Sequence, residues 1–292
     1  MAARFPTGNP QNPAYRLSEE KAPLCTHSTE DFCLVGKEIA RLVLTLENPF
    51  LDPTVGIDRT VNPFVDRLLD GQKDGTLNLA FGPDLANYQN YWRTKYKHSP
   101  KELILEIGCH NGDFLNSLAK NNPDKGFIGI DITYKRTVLT AEKAKISKNK
   151  NIISVLANAT HLKRLFHRHE LSGIILLFPD PWNKKRRQKK NRLINRQFCH
   201  QLAEVLHPSG FIWIKTDEPE YFSQISTFLS QETFVRSRYS LPQELTGKLP
   251  PSTFEEQFIK FGLPIFSGLW HKSFVDGAEK WDNRSQLPHL PN

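Results

Sequence analysis

The sequence predicts a doubly wound α/β domain, an open and mostly parallel sheet of seven strands with helices on both faces. Three observations predict it. From Leu103 onward, short apolar or β-branched runs alternate with helical stretches of roughly 8–15 residues, the pattern of strand–helix–strand units. A glycine-bearing loop, Gly108-Cys109-His110-Asn111-Gly112, follows the first of these runs, and an acid, Asp131, closes the second. The run Ile174 to Phe178 is then stopped by Pro179-Asp180-Pro181, because each proline fixes φ and removes a ladder donor. Ligands of such sheets bind beyond the carboxyl ends of the strands, where all three features fall.

Taken in order, residues 1–58 are an N-terminal extension. Its first part is rich in Pro, Asn and Ser and reads as disordered, whereas Leu34, Ile39, Leu42, Val43 and Leu46 recur at helical spacing. The domain proper covers residues 59–275, and 276–292 form a tail. Tyr88, Tyr91, Trp92 and Tyr96 are either a base-stacking surface or, the preferred reading, an element packed on the domain. Strands follow at Leu103–Ile107, Phe127–Ile130, Ile152–Leu156, Ile174–Phe178 and Phe211–Ile214, the last after a His207-Pro208-Ser209-Gly210 turn. Helices are expected at Asp113–Lys120, Val138–Ile146, Ala159–His167 and Leu193–Leu206, where Ile194, Phe198, Leu202 and Val205 share one face. Phe222–Leu229 reads as a further helix, and Val235–Tyr239 with Phe266–Val275 as a closing hairpin.

A chain of 292 residues has room for one large α/β domain with extensions. Its net charge is +8, and Lys184, Lys185, Arg186, Arg187, Lys189, Lys190 and Arg192 supply seven positive charges with no acid among them, so the remainder is close to neutral. One basic block on a near-neutral chain points to an anionic partner, nucleic acid ahead of a membrane surface. The four cysteines form no C-x-x-C pair and have no histidine at zinc spacing, so they are read as reduced thiols of a cytoplasmic protein without a metal. No apolar run approaches the roughly 18 residues of a membrane-spanning helix. Residues 1–21 lack the apolar core of a signal peptide.

The loop after the first strand is neither G-x-G-x-x-G nor a phosphate-binding Walker loop, but Gly108 and Gly112 let backbone approach a ligand closely. Asp131, at the end of the second strand, either accepts two hydrogen bonds from a ribose diol or caps the next helix. With Glu106 ending the first strand, this set resembles the class I S-adenosylmethionine-dependent methyltransferases. A nicotinamide dehydrogenase is the competing reading; against it, the third glycine is missing and no catalytic His/Lys/Tyr set presents itself. On the methyltransferase reading, Asn158 faces the adenine edge, a role compatible with capping the helix that follows it.

A narrower resemblance rests on Phe178-Pro179-Asp180-Pro181-Trp182 and the cations after it. Leu105-Glu106-Ile107-Gly108, Phe127-Ile128-Gly129-Ile130-Asp131, Ile214-Lys215-Thr216-Asp217 and Ser252-Thr253-Phe254-Glu255 occur in the matching order. Over roughly residues 60–275 the chain resembles the tRNA (guanine-N7)-methyltransferase family. The resemblance implies a Rossmann-like class I methyltransferase fold, S-adenosylmethionine as cofactor and the N7 of a variable-loop guanosine in tRNA as target. It implies that Glu106, Gly108, Gly112, Asp131, Asn158 and Asp180 line the cofactor, with Asp180 catalytic. It also implies that Lys184, Asp217, Ser252, Thr253, Phe254 and Glu255 contact the RNA. Three positions depart from the family pattern. His110 replaces the middle glycine of the cofactor loop: either it sits at negative φ with its ring in solvent, the preferred reading, or its imidazole points inward to the cofactor's carboxylate. Asn158 stands where bacterial members carry Asp, and Ser252-Thr253 replaces Thr-Lys. Trp182 either stacks on a base or packs under the basic loop. The other functions left open are an RNA-binding protein of this fold without catalysis and a methyltransferase acting on another RNA or on protein. Monomer and homodimer are both compatible with the sequence.

Overall fold

Three strands that read as unbroken apolar runs are buried along their whole length: β2 (Leu103–Ile107), β3 (Gly126–Asp131) and β4 (Ile152–Leu156). Such burial requires helices on both faces of the sheet. The computed structural model describes residues 63–73, 77, 79–80, 92–183, 186–247 and 249–272. Within them the sheet continues through β5 (Leu171–Leu177), β6 (Leu206–Thr216), β7 (Phe234–Arg236) and β8 (Phe266–Lys272). The order is β1-β4-β3-β2-β5-β6-β8-β7, parallel as far as β6, with β8 alone reversed and antiparallel to both β6 and β7. The seven expected strands are thus joined by an edge strand of two residues, β1 (Leu79–Ala80), which lies parallel to β4.

The helices are α1 (Pro63–Lys73), α2 (Asp113–Asn121), α3 (Tyr134–Ile146), α4 (Leu162–Leu165), α5 (Arg196–Val205), α6 (Pro219–Gln231) and α7 (Thr253–Lys260). Side chains alternate across the strands, so Leu105, Ile107 and Ile174 meet Leu162, Phe198, Leu202 and Ile225 on one face. Ile104, Phe127 and Ile175 meet Phe114, Leu115 and Leu118 of α2 on the other. Helix α1 packs on α3 through Leu68, Val138 and Ala141, and Arg67 pairs with Glu142.

Several boundaries differ from the sequence reading by a few residues, and two of the differences have a local cause. Helix α5 starts only after Asn195, whose side-chain oxygen accepts from the Phe198 amide at 3.0 Å and so caps the helix. The turn expected at His207–Gly210 lies inside β6: the pairing with β5 jumps from Leu171↔Leu206 to Gly173↔Phe211, which makes this stretch a bulge. Trp92 and Tyr96 are core residues. Trp92 Nε1 donates to the Leu165 carbonyl at 2.6 Å, and the Tyr96 hydroxyl donates to the Phe127 carbonyl at 2.9 Å. Tyr88, Tyr91, Lys184, residues 1–58 and residues 276–292 lie outside the described residues. Among the described residues no helix is long and apolar enough to cross a membrane.

Candidate active site

Parallel register brings the carboxyl ends of five strands to one edge. Ile107 pairs with Ile130 and with Leu176, Asp131 with Leu156, and Leu177 with Lys215. Asn158, Asp131, Gly108, Asp180 and Asp217, scattered over more than fifty positions of sequence on either side of the centre, therefore follow neighbouring strands at the same end of the sheet.

At its centre are two buried carboxyl groups. Glu106 is 3% exposed, and its Oε2 has no hydrogen-bond partner among the described residues. Burial, with the Asp131 charge beside it, pushes its pKa up to about 8. Asp131 is also 3% exposed and divides its oxygens between two environments. Oδ1 accepts from the Thr133 amide at 2.9 Å and the Thr133 hydroxyl at 2.7 Å, which fixes the turn into α3. Oδ2 is buried without a hydrogen bond, and the nearest cation, Arg136 Nη1, stands off at 3.7 Å. A buried acceptor without a donor costs on the order of 1–3 kcal/mol, so two of them on adjacent strands mark a place where a ligand supplies the donors. Gly108 between them has φ +76° and open space where a Cβ would stand. Gly112 has φ +72°, and a Cβ there would collide with Thr140, so close packing of the loop on α3 requires glycine. Asn158 begins the turn after β4, its Oδ1 accepting from the Thr160 amide at 3.0 Å and hydroxyl at 2.9 Å. That cap orients the side chain and leaves the amide NH₂ as its donor.

After β5 the chain makes a strained turn. Phe178 and Trp182 hold φ of +53° and +45°, in a region that non-glycine residues seldom occupy. Asp180 between them is exposed, and its Oδ1 accepts from the Trp182 amide at 2.9 Å. Trp182 is 37% exposed. Asp217 follows β6, and burial raises its carboxyl above the ordinary carboxylate value.

Helix α7 roofs this edge. Ser252 and Glu255 form a reciprocal capping box, with the Glu255 amide donating to Ser252 Oγ at 3.2 Å and the Ser252 amide donating to Glu255 Oε2 at 3.3 Å. Glu255 Oε1 is 2.5 Å from Lys215 Nζ, an ion pair shielded from solvent at side-chain exposures of 13% and 9%. Ser252 and Glu255 are thus engaged inside the protein, whereas Thr253 is exposed and Phe254 is partly exposed at 37%. The Phe258 ring stacks on Phe178 at 5.2 Å, and the Phe254 ring meets His110 edge-on at 5.5 Å. Ser252, Thr253 and Phe254 cover a cavity of about 30 Å³ above Glu106 and Gly108. The S-x-x-E box was readable in the sequence; the Lys215 pairing was signalled only by a lysine at the end of an apolar strand.

His110 corrects an expectation. It sits at φ +50°, not at negative φ, and its ring is half-buried against Phe254 instead of lying in solvent. The Thr140 hydroxyl donates to its carbonyl at 3.3 Å, and the flanking Gly108 and Gly112 are also left-handed, so the loop keeps its course and the histidine carries the strain. Burial and then the Arg136 charge lower its pKa, so the ring is neutral at pH 7. His110→Gly relieves about 1 kcal/mol of strain and loses a ring contact worth about 0.5–1.5 kcal/mol, leaving stability nearly unchanged. His110→Ala loses the contact and keeps the strain, so it is expected to be less stable than the glycine variant by about 1 kcal/mol in chemical denaturation. An alanine variant at least as stable as the glycine variant contradicts the left-handed backbone.

The basic block is less uniform than its sequence. Arg192 is 3% exposed, and Lys189 Nζ is held by Glu220 at 2.5 and 2.7 Å. Arg187 and Lys190 are on the surface. Counting all seven cations as a phosphate-binding face thus overstates it, because a buried guanidinium cannot reach a phosphate.

Comparison with known proteins agrees with this geometry. A family model described as putative methyltransferase matches residues 100–267. A tRNA (guanine-N(7)-)-methyltransferase of Geobacillus kaustophilus is 34% identical over 186 residues, which cover 63% of this chain and 85% of that protein. Its counterpart in Clostridium kluyveri is 32% identical over 184 residues, covering 60% and 83%. A bifunctional glycosyltransferase/methyltransferase of Fusobacterium nucleatum is 31% identical over 164 residues, 56% of this chain and 24% of that one. With the Rossmann-like sheet, the strand-end carboxylates and these relatives together, the chain belongs to the tRNA (guanine-N(7)-)-methyltransferase family.

Proposed function

We propose that this protein transfers a methyl group from S-adenosylmethionine to N7 of a guanosine in the variable loop of tRNA. The observation that carries the proposal is the pair of buried acceptors without donors, Glu106 Oε2 and Asp131 Oδ2, on adjacent strand ends. The cofactor is rich in donors where these acceptors need them, at its ammonium group and its ribose hydroxyls. Glu106 is assigned to the ammonium, Asp131 to the ribose diol and the Asn158 amide to the adenine edge, with Gly108 and Gly112 leaving room for close approach. The covered space above Glu106 is far smaller than the 300–1,000 Å³ of ordinary ligand pockets, so Ser252–Phe254 shift outward when a ligand enters. A protein of this fold that only bound RNA would keep both acceptors desolvated for no return.

When bound, S-adenosylmethionine supplies an electrophilic methyl group. Guanine N7 carries a lone pair at neutral pH, so no general base is needed, and the protein's task is to place the base in line. The purine becomes cationic as its new bond forms. Asp180 and Asp217, on the strands next to the cofactor, offset that charge, and Asp180 is the catalytic residue. The exposed Trp182 ring is a stacking surface for a base. Lys184, Arg187 and Lys190 take phosphates, while Thr253 and Phe254 meet the RNA from α7. Cys109 and Cys199 are buried free thiols, in keeping with work in the cytoplasm, where tRNA is found.

The test is tRNA carrying 7-deazaguanosine at the target position. Binding within about twofold of normal is expected, with no methyl transfer, because the nucleophilic lone pair is gone while the charges that bind phosphate remain. Methyl transfer to that tRNA contradicts the N7 assignment.

A further inference from the structure

Arg192 closes the basic run in sequence, yet it has no access to a phosphate. Its guanidinium is buried, with Nη2 sealed from solvent and without a hydrogen-bond partner among the described residues. Nε donates to the Pro181 carbonyl at 2.7 Å and Nη1 to Gln224 Oε1 at 2.8 Å, and the guanidinium carbon lies 4.6 Å from the centre of the Tyr221 ring. Pro181 and Trp182 share one peptide plane. Its carbonyl is held by Arg192, and its N–H donates to Asp180 Oδ1 at 2.9 Å. A single rigid unit therefore connects the guanidinium to the carboxylate. The proline-rich turn offers few amide donors of its own, which leaves the outside donor to set the orientation of that plane.

The loop from Pro181 to Ile194 is fastened to the first turns of α6 at further points. Asn183 Nδ2 donates to Glu218 Oε2 at 2.8 Å, Lys189 binds Glu220, and the Ile194 amide donates to the Tyr221 hydroxyl at 3.0 Å. Helix α6 itself begins at Pro219, with Glu218, the residue after Asp217, as its N-cap. The Asp180 turn and the Asp217 strand end are thus braced by the same helix.

We propose that Arg192 is a positioning residue that sets the direction of the Asp180 carboxylate through the Pro181–Trp182 peptide, and that it is not an RNA-binding cation. The inference rests on the methyl-transfer reading above. Lysine cannot replace it: an ammonium is a point charge that cannot donate to both acceptors in the plane and lie flat on Tyr221.

The experiment compares wild type, Arg192→Lys and Lys190→Ala in tRNA binding at several salt concentrations, in steady-state methylation and in thermal unfolding. For Arg192→Lys, kcat is expected to fall at least tenfold, with tRNA affinity and its salt dependence within twofold of wild type. Lys190→Ala, at a surface cation assigned to phosphate, should instead weaken tRNA binding and flatten the salt slope by about 0.7. Added to Asp180→Asn, Arg192→Lys should cost nothing further, since it acts through that carboxylate. If Arg192→Lys unfolds at the assay temperature, Gln224→Leu removes one of the guanidinium's acceptors and is expected to lower kcat severalfold with tRNA binding intact. Normal kcat in the folded variant, or a flattened salt slope from Arg192→Lys, overturns the inference alone. A wild-type protein that methylates no tRNA overturns the methyl-transfer reading and this inference with it.

Discussion

Asp180→Asn is expected to lower the methylation rate by about a hundredfold or more, with thermal stability close to wild type. The magnitude follows from what removal of one preorganised electrostatic partner of a developing charge costs in other enzymes, on the order of 10²–10³ in kcat. Asparagine keeps the shape of the side chain, and its carbonyl oxygen still accepts from the Trp182 amide, the bond that ties Asp180 to the turn. What is lost is the negative charge facing the purine as it becomes cationic, and one acceptor is replaced by a donor. The loss should fall on kcat, because the charge matters most after bond formation has begun. Turnover within threefold of wild type assigns Asp180 to the turn alone.

Glu106→Gln is expected to act in opposite directions on cofactor binding and on stability. Loss of a charge-assisted bond to the cofactor ammonium weakens S-adenosylmethionine by about 1.5–3 kcal/mol, roughly ten- to a hundredfold. The free protein, in contrast, is relieved. In the folded chain the Glu106 carboxyl titrates near 8, against an ordinary value of 4.5. Between these values the folded state holds the proton more tightly than the unfolded state, so stability falls as pH rises from about 4.5 through 8. The glutamine variant lacks this loss. Thermal unfolding between pH 5 and pH 8 should show the wild type declining relative to the variant, by an amount on the order of 1–3 kcal/mol at the upper end. Parallel curves contradict the burial of an ionisable acceptor at that position.

Both predictions concern residues that were legible in the sequence, and the reason is topological. In a parallel sheet every strand delivers its carboxyl end to the same edge, so an acid placed just after an apolar run is located without tertiary information. That logic found Glu106, Asp131 and Asp180 together with the glycine loop, and strand periodicity found the seven main strands. It failed where a partner is distant in sequence. Nothing local distinguishes Arg192, which is buried, from Lys190, which is exposed two positions away. The contact that decides is with Gln224, on a different helix. Likewise Glu255, which the resemblance implies as an RNA contact, pairs with Lys215, forty positions earlier, and nothing near Glu255 in sequence signals that pairing. His110 went wrong for an energetic reason. The cost of a left-handed histidine argues locally for a shifted loop, but the glycines on either side, the Thr140 bond and the Phe254 ring together hold it in place. The two-residue edge strand β1 is too short to show any periodicity.

The most direct test of the account is mass spectrometry of nucleosides from unmodified tRNA incubated with the purified protein and methyl-labelled S-adenosylmethionine. The account predicts labelled 7-methylguanosine, located by fragment mapping in the variable loop, and no other labelled nucleoside. Label at another atom or in another nucleoside, or tRNA that binds but stays unlabelled, contradicts it.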